Sequence, residues 1–275
     1  MRDPREVLTR AAPPPRLTVA YGGSPDQVAD VWLPDGGGRA PLVVVVHGGF
    51  WRAGYDRTHT RPQCAGLAAA GYAVAAIEYR RVGAGGGWPA TFDDVAAALD
   101  TVPALVARAT AGGPAEADAA RVVHVGHSAG AHLAVWAASR GRLPAGARWT
   151  ASSERARPTG VVALAGVLDL RAAAELDLDD GAARELLGGG PAQRPERYAA
   201  ADPLGLAPPG VPVALLHGAD DRQVPPEFSR RYAAAAGPLA TLREPAGVEH
   251  FGLIDPESPA WPAVLDAVAG LLRRP

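Results

Sequence analysis

The chain has 275 residues, 48% hydrophobic and 20% charged, with a net charge of -2, which excludes a disordered, solvating chain and leaves no electrostatic footprint for nucleic acid. One cysteine, Cys64, excludes an intrachain disulfide framework and a cysteine-based zinc site. No apolar run approaches the roughly 18 residues of a membrane span, and the first residues lack the apolar core of a secretory signal; the expectation is a soluble, cytoplasmic protein.

Residues 1–15 read as a loose arm ending in three prolines. Two short alternating stretches follow, Leu17 to Tyr21 and Val28 to Leu33, with Gly-Gly-Ser-Pro between them, which is the pattern of a hairpin. Pro41 to Val46 carries Leu42 and four consecutive valines and closes on glycines. Such a run predicts a strand buried on both faces, as in parallel sheets.

From there strands and helices alternate. Helices are expected over Pro62 to Ala70, Phe92 to Ala109, Ala129 to Ser139, Pro226 to Ala236 and Ala260 to Arg273. Strands are expected over Tyr72 to Glu78, Arg121 to Gly126, Thr159 to Ala165, Val211 to His217 and Leu239 to Arg243. The alternation predicts one α/β domain over 1–275, with a mostly parallel sheet covered on both faces and an antiparallel hairpin at one edge. Leu170 to Pro203 is longer than one crossover needs. It is expected as a lid insertion over the carboxyl ends of the strands, where ligands bind in open α/β sheets.

Gly126-His127-Ser128-Ala129-Gly130 matches G-x-S-x-G between a predicted strand and a predicted helix. A sharp strand-to-helix turn exposes the central serine oxygen, and the flanking glycines avoid clashes. Ser128 is therefore the candidate nucleophile. It needs a base, and the base needs an orienting carboxylate. Of seven histidines, His124 lies mid-strand, His127 is the variable position of the turn, and His132 is on the helix after it. His59 falls in a loop, and His47 and His217 end strands. His250 lies in a loop between the last strand and the last helix and follows every candidate acid, as the order Ser, Asp, His requires. Asp220 and Asp221 both follow a strand's carboxyl end, and spacing does not choose between them. Asp169 and Asp202 are weaker candidates that read as helix or turn caps.

His47-Gly48-Gly49-Phe50-Trp51 directly follows the first central strand. Glycines there let the backbone approach a substrate carbonyl, and with the N–H of Ala129 they would form an oxyanion hole. Together these pieces resemble the α/β-hydrolase fold from Leu17 to Leu272. More narrowly, the HGGxW run resembles the kynurenine formamidases (arylformamidases) and hormone-sensitive-lipase-like esterases. That resemblance implies that Gly49 and Phe50 donate the oxyanion amides. His217-Gly218-x-x-Asp221-x-x-Val224-Pro225 is similar to the family's HGxxDxxVP, which implies Asp221 as the acid. Glu78-Tyr79-Arg80 resembles the family's (D/N)YR, with Glu78 where Asp or Asn is usual, and Phe50 replaces the tyrosine common in formamidases.

The expected function is hydrolysis of small acyl esters through Ser128, Asp221 and His250, without cofactor or metal. Arylformamidase action on an N-formyl aryl amide is the second reading; a prolyl-oligopeptidase-type peptidase, an acyltransferase and a non-catalytic binding member of the fold follow. Trp51, Trp88 and Phe251 are the candidate substrate-binding aromatics. The hydrophobic last helix suits either a homodimer interface or the sheet.

Overall fold

In the computed structural model, which describes residues 3–143, 146–150 and 157–273, eight strands form one sheet. They are β1 (Leu17–Ala20), β2 (Val28–Trp32), β3 (Gly38–Val46), β4 (Ala73–Ile77), β5 (Ala115–His127), β6 (Gly160–Leu164), β7 (Val213–Leu216) and β8 (Ala240–Arg243). Their spatial order is β1-β2-β4-β3-β5-β6-β7-β8. β1 and β2 pair antiparallel, β2 joins β4 antiparallel, and every later pairing is parallel. The helices are α1 (Arg61–Ala69), α2 (Ala90–Thr110), α3 (Ala129–Ala138), α4 (Leu170–Glu175), α5 (Leu178–Leu187), α6 (Pro195–Ala201), α7 (Glu227–Ala236) and α8 (Trp261–Leu272).

The four valines of β3 serve both faces because side chains alternate along a strand. Leu42, Val44 and Val46 join Val95, Leu99 and Val102 of α2 and Leu133 of α3 in one core. Val43 and Val45 join Leu67 of α1 and Val264, Val268 and Leu271 of α8 in the other. α8 thus spends its three- and four-residue apolar spacing on the sheet. β5 is longer than its expected core, and its added first half pairs with the start of β3 across an irregularity at Pro41 and Leu42.

The expected loose arm is instead docked over residues 3–15; residues 1 and 2 lie outside the described residues. Pro4–Leu8 forms a 3-10 helix whose Val7 is buried in the α1–α8 core. Arg10 makes a two-pronged ion pair with Asp255, and the Trp32 indole donates to the Pro13 carbonyl. Residues 170–203 hold α4, α5 and α6. Asp169 caps α4 by accepting from Ala172 N–H, and Asp202 accepts from Leu170 N–H.

Burial of titratable side chains sets how this fold responds to acid. Burial pushes His124 down to about 3 and His59 and His132 down to about 4. Burial and then the neighbouring His250 hold His127 well below its ordinary value. Unfolded histidines take up protons as pH falls through about 6.5, while these four stay neutral in the fold. Their contribution is therefore present above that pH and is lost as pH falls from about 6.5 toward 4. Asp202 acts oppositely: burial lifts it to about 7, so its contribution is present at low pH and is lost as pH rises through that value. Four groups outweigh one, and the net slope near pH 5 is on the order of 4 kcal/mol per pH unit. Urea unfolding at about pH 7, 6 and 5 should show stability collapsing on acidification. His124→Leu should flatten the slope by about one proton, whereas a level profile in the parent protein would contradict this account.

Candidate active site

The turn after β5 is built by close approach. A Cβ at Gly130 would lie 2.0 Å from the Val46 carbonyl oxygen, and one at Gly126 would lie 2.4 Å from the Gly130 oxygen. Glycine at both positions lets α3 start directly against the end of β3. Ser128 between them takes φ 55° and ψ -120°, and its amide donates to the Leu164 carbonyl. Such a left-handed residue costs about 1–3 kcal/mol and persists only where its surroundings enforce it.

A second strained stretch faces it. Gly49, Phe50 and Trp51 all have positive φ, of 102°, 49° and 59°. The loop is held from behind: Arg52 N–H donates to the Gly49 carbonyl, Val82 N–H to Trp51, and Ala53 N–H to Val82. Arg52 also reaches residues 170–203, donating to Asp179 and Glu185 at 2.9 Å each. Among the described residues, neither the Gly49 nor the Phe50 amide donates a hydrogen bond. Ala129, first in α3, has no intrahelical carbonyl to meet its own amide.

His250 arrives from the other side. Its Nδ1 is 2.6 Å from Asp221 Oδ2. Asp221 also accepts from the Gln223 and Val224 amides through Oδ1, and His217 Nε2 is 3.3 Å from Oδ2. Burial pushes the Asp221 carboxyl up, but the hydrogen bonds from His217 and His250 outweigh it and hold the group well below the usual carboxylate range. His217 is fixed in turn, with Nδ1 2.7 Å from Ser229 Oγ and Nε2 2.9 Å from the Val224 carbonyl. The loops carrying Asp221 and His250 are joined by backbone bonds from Ala219 to Pro245 and from Asp220 to Val248. Gly218 permits this approach, since a Cβ there would lie 2.3 Å from the Val248 oxygen. Asp220 itself is exposed.

Ser128, His250, Gly49, Phe50 and Phe251 line one cavity of about 100 Å³. Arg5, Leu8, Tyr55, His59, His127, Asp179 and Gln223 complete its walls. A wider groove of about 460 Å³ adjoins it, sharing Arg5, Leu8, Tyr55 and His59. Of the expected substrate-binding aromatics, only Phe251 lines the cavity. Trp51 is buried beneath the loop, where its indole donates to His132 Nδ1 at 3.1 Å. Trp88 packs edge-on against Phe92 and Trp149. Trp51 is core and Trp88 packs half-buried against the core, the commoner fate of large rings. Arg5 and Leu8 escaped sequence reasoning because the docking of the arm has no local signal, and Tyr55 and His59 because they follow no motif.

Comparison with known proteins follows the same outline. The structure resembles a truncated carbohydrate esterase from gut microbiota, with a TM-score of 0.76, 20% identity, and 95% of this chain and 100% of that chain covered. It also resembles esterase B from Lactobacillus rhamnosis, with a TM-score of 0.74, 20% identity, and 98% and 90% covered. The chain has the α/β-hydrolase fold. Residues 29–235 match the BD-FAE family, and the chain belongs to that family. Over 231 residues it is 30% identical to "Esterase LipQ" of Mycobacterium tuberculosis (strain ATCC 25618 / H37Rv), covering 79% of this chain. The chain spans about half the length of that relative, 51%. None of these relatives is named as a formamidase, so the narrower formamidase likeness gains nothing from them. Among the described residues, no helix is long and apolar enough to cross a membrane.

Proposed function

We propose that this protein is a serine hydrolase that cleaves small acyl esters through an acyl-enzyme intermediate. The observation that carries the reading is the meeting of Ser128, on its strained turn, with a His250 held at 2.6 Å by Asp221, in one cavity. In this mechanism His250 takes the Ser128 proton as the oxygen attacks the carbonyl carbon. The amides of Gly49, Phe50 and Ala129 receive the oxyanion, each such donor contributing about 2.7–4 kcal/mol. Asp221 keeps the His250 proton on Nδ1 and stabilises the charged ring. The protonated ring then gives its Nε2 proton to the departing alcohol, and water clears the acyl group by the same steps. The cavity of about 100 Å³ suits a short acyl group, and the adjoining groove of about 460 Å³ suits the alcohol.

The esterase names of the relatives support ester over amide cleavage. The test is a rate comparison on a short-chain nitrophenyl ester, N-formylkynurenine and a proline-containing peptide amide. The ester should give the highest kcat/KM. Preference for the formyl amide would move the protein to the formamidase reading. Turnover that accelerates only when an alcohol acceptor is added would make it an acyltransferase.

A further inference from the structure

His47 directly follows β3 and begins the His47-Gly48-Gly49 run, and it is 1% exposed. Each of its ring nitrogens faces an acceptor. Nε2 is 2.8 Å from Glu78 Oε1, and Nδ1 is 2.8 Å from the Gly48 carbonyl oxygen. The Tyr79 hydroxyl donates to the His47 carbonyl at 2.9 Å and stands 3.5 Å from Nδ1. A neutral ring would turn a bare lone pair toward an oxygen lone pair at hydrogen-bond distance in a buried place, at a cost of about 1–3 kcal/mol or more. Only the ring with both N–H groups satisfies both contacts.

Glu78 supplies the counter-charge, which His47 shares with two guanidinium groups. Glu78 accepts from the Arg57 and Tyr79 amides. The Arg57 and Arg81 guanidinium groups approach it to 3.7 and 3.4 Å. Burial pushes the Glu78 carboxyl up, yet the charge and hydrogen bond of His47, with the two amides, bring it down to about 2. His59 meets the His47 ring edge-on at 5.6 Å and is kept neutral by burial. Tyr79 stacks on the ring at 4.3 Å and 10°.

The peptide joining Gly48 to Gly49 links this pair to the cavity. In a trans peptide the C=O and the following N–H point in opposite directions. A donor on the Gly48 oxygen therefore fixes the plane, directs Gly49 N–H away from His47, and polarises that N–H. The Gly49 amide has no acceptor among the described residues, and Gly49 lines the cavity with Ser128.

We propose that His47 is a charged positioning residue: an imidazolium, held by Glu78, that orients and polarises the Gly48–Gly49 peptide so that Gly49 N–H is preset for the oxyanion. The proposal rests on the hydrolase reading above for its consequence, though not for the charge of the ring. Nitrogen-15 NMR of histidine-labelled protein, with the His47 signal assigned by its loss in His47→Gln, reads the charge directly. Both His47 nitrogens should carry protons in the folded protein at neutral pH. Glu78→Gln keeps an acceptor oxygen and removes the counter-charge. It should lower kcat about tenfold with KM within about twofold. Affinity for a trifluoromethyl ketone, which forms the tetrahedral adduct, should fall by the same factor, and a fluorophosphonate should still label Ser128. A bare His47 nitrogen in the parent protein overturns the proposal, whether or not Glu78→Gln folds. So does an unchanged kcat in folded Glu78→Gln. Failure of the parent protein to label at Ser128 would instead remove the hydrolase reading, leaving the NMR result to decide the charge.

Discussion

Ser128→Ala should lower turnover of a short-chain ester about 10⁴-fold or more while leaving the fold intact. Alanine keeps the Cβ and inherits the same positive φ, so the backbone strain of the turn is unchanged. The serine amide bond to Leu164 survives, because it is made by the main chain. What disappears is the oxygen that faces the cavity shared with His250. Circular dichroism and thermal unfolding should therefore match the parent protein closely, and fluorophosphonate labelling should vanish. Substantial activity in the folded variant would show that the chemistry lies elsewhere.

The second large effect separates two adjacent carboxylates. Asp221→Asn should cost about 10⁴-fold in kcat, whereas Asp220→Asn should stay within about twofold. Asparagine can keep one oxygen for the Gln223 and Val224 amides, so the turn is preserved. Its NH2 group then replaces Oδ2 at 2.6 Å from His250 Nδ1. Two N–H groups cannot share that contact, so the ring must shift its proton to Nε2, and in the proposed mechanism that nitrogen could then not take the Ser128 proton. Asp220 contributes its backbone amide to Val248, and its exposed side chain is not used. Steady-state kinetics on both variants settle the choice; the reverse ranking would reassign the acid.

Elements whose cause is local are legible in the amino-acid sequence. The four valines of β3 demand burial on two faces, and two glycines around Ser128 have no cheaper explanation than close backbone approach, since an added Cβ at Gly130 or Gly126 would lie 2.0 or 2.4 Å from a carbonyl oxygen. Asp220 and Asp221 cannot be told apart by spacing, because the difference lies in which carboxylate the Val248 loop leaves buried. The arm is illegible for a similar reason. Its apolar anchors are only Val7 and the half-buried Leu8 beside it, and its ion pair joins Arg10 to Asp255, 245 positions away. A proline-rich stretch with one Val-Leu pair looks unattached unless the surface it meets is already known. Trp51 and Trp88 mislead because an aromatic beside a glycine loop reads the same whether its ring enters the cavity or the core.

The contacts of Arg52 constrain how this scaffold can be re-engineered. Residues 170–203 look like a cassette, bounded by strands and open to exchange with the matching segment of a relative. Yet Arg52 belongs to the loop carrying Gly49 and Phe50 and is answered by Asp179 and Glu185 from the cassette. A chimera that swaps the cassette without supplying acidic partners would strip Arg52 of both and loosen a loop already holding three residues at positive φ. The loop and the cassette form a single unit of inheritance, and a designer seeking new selectivity should transplant them together.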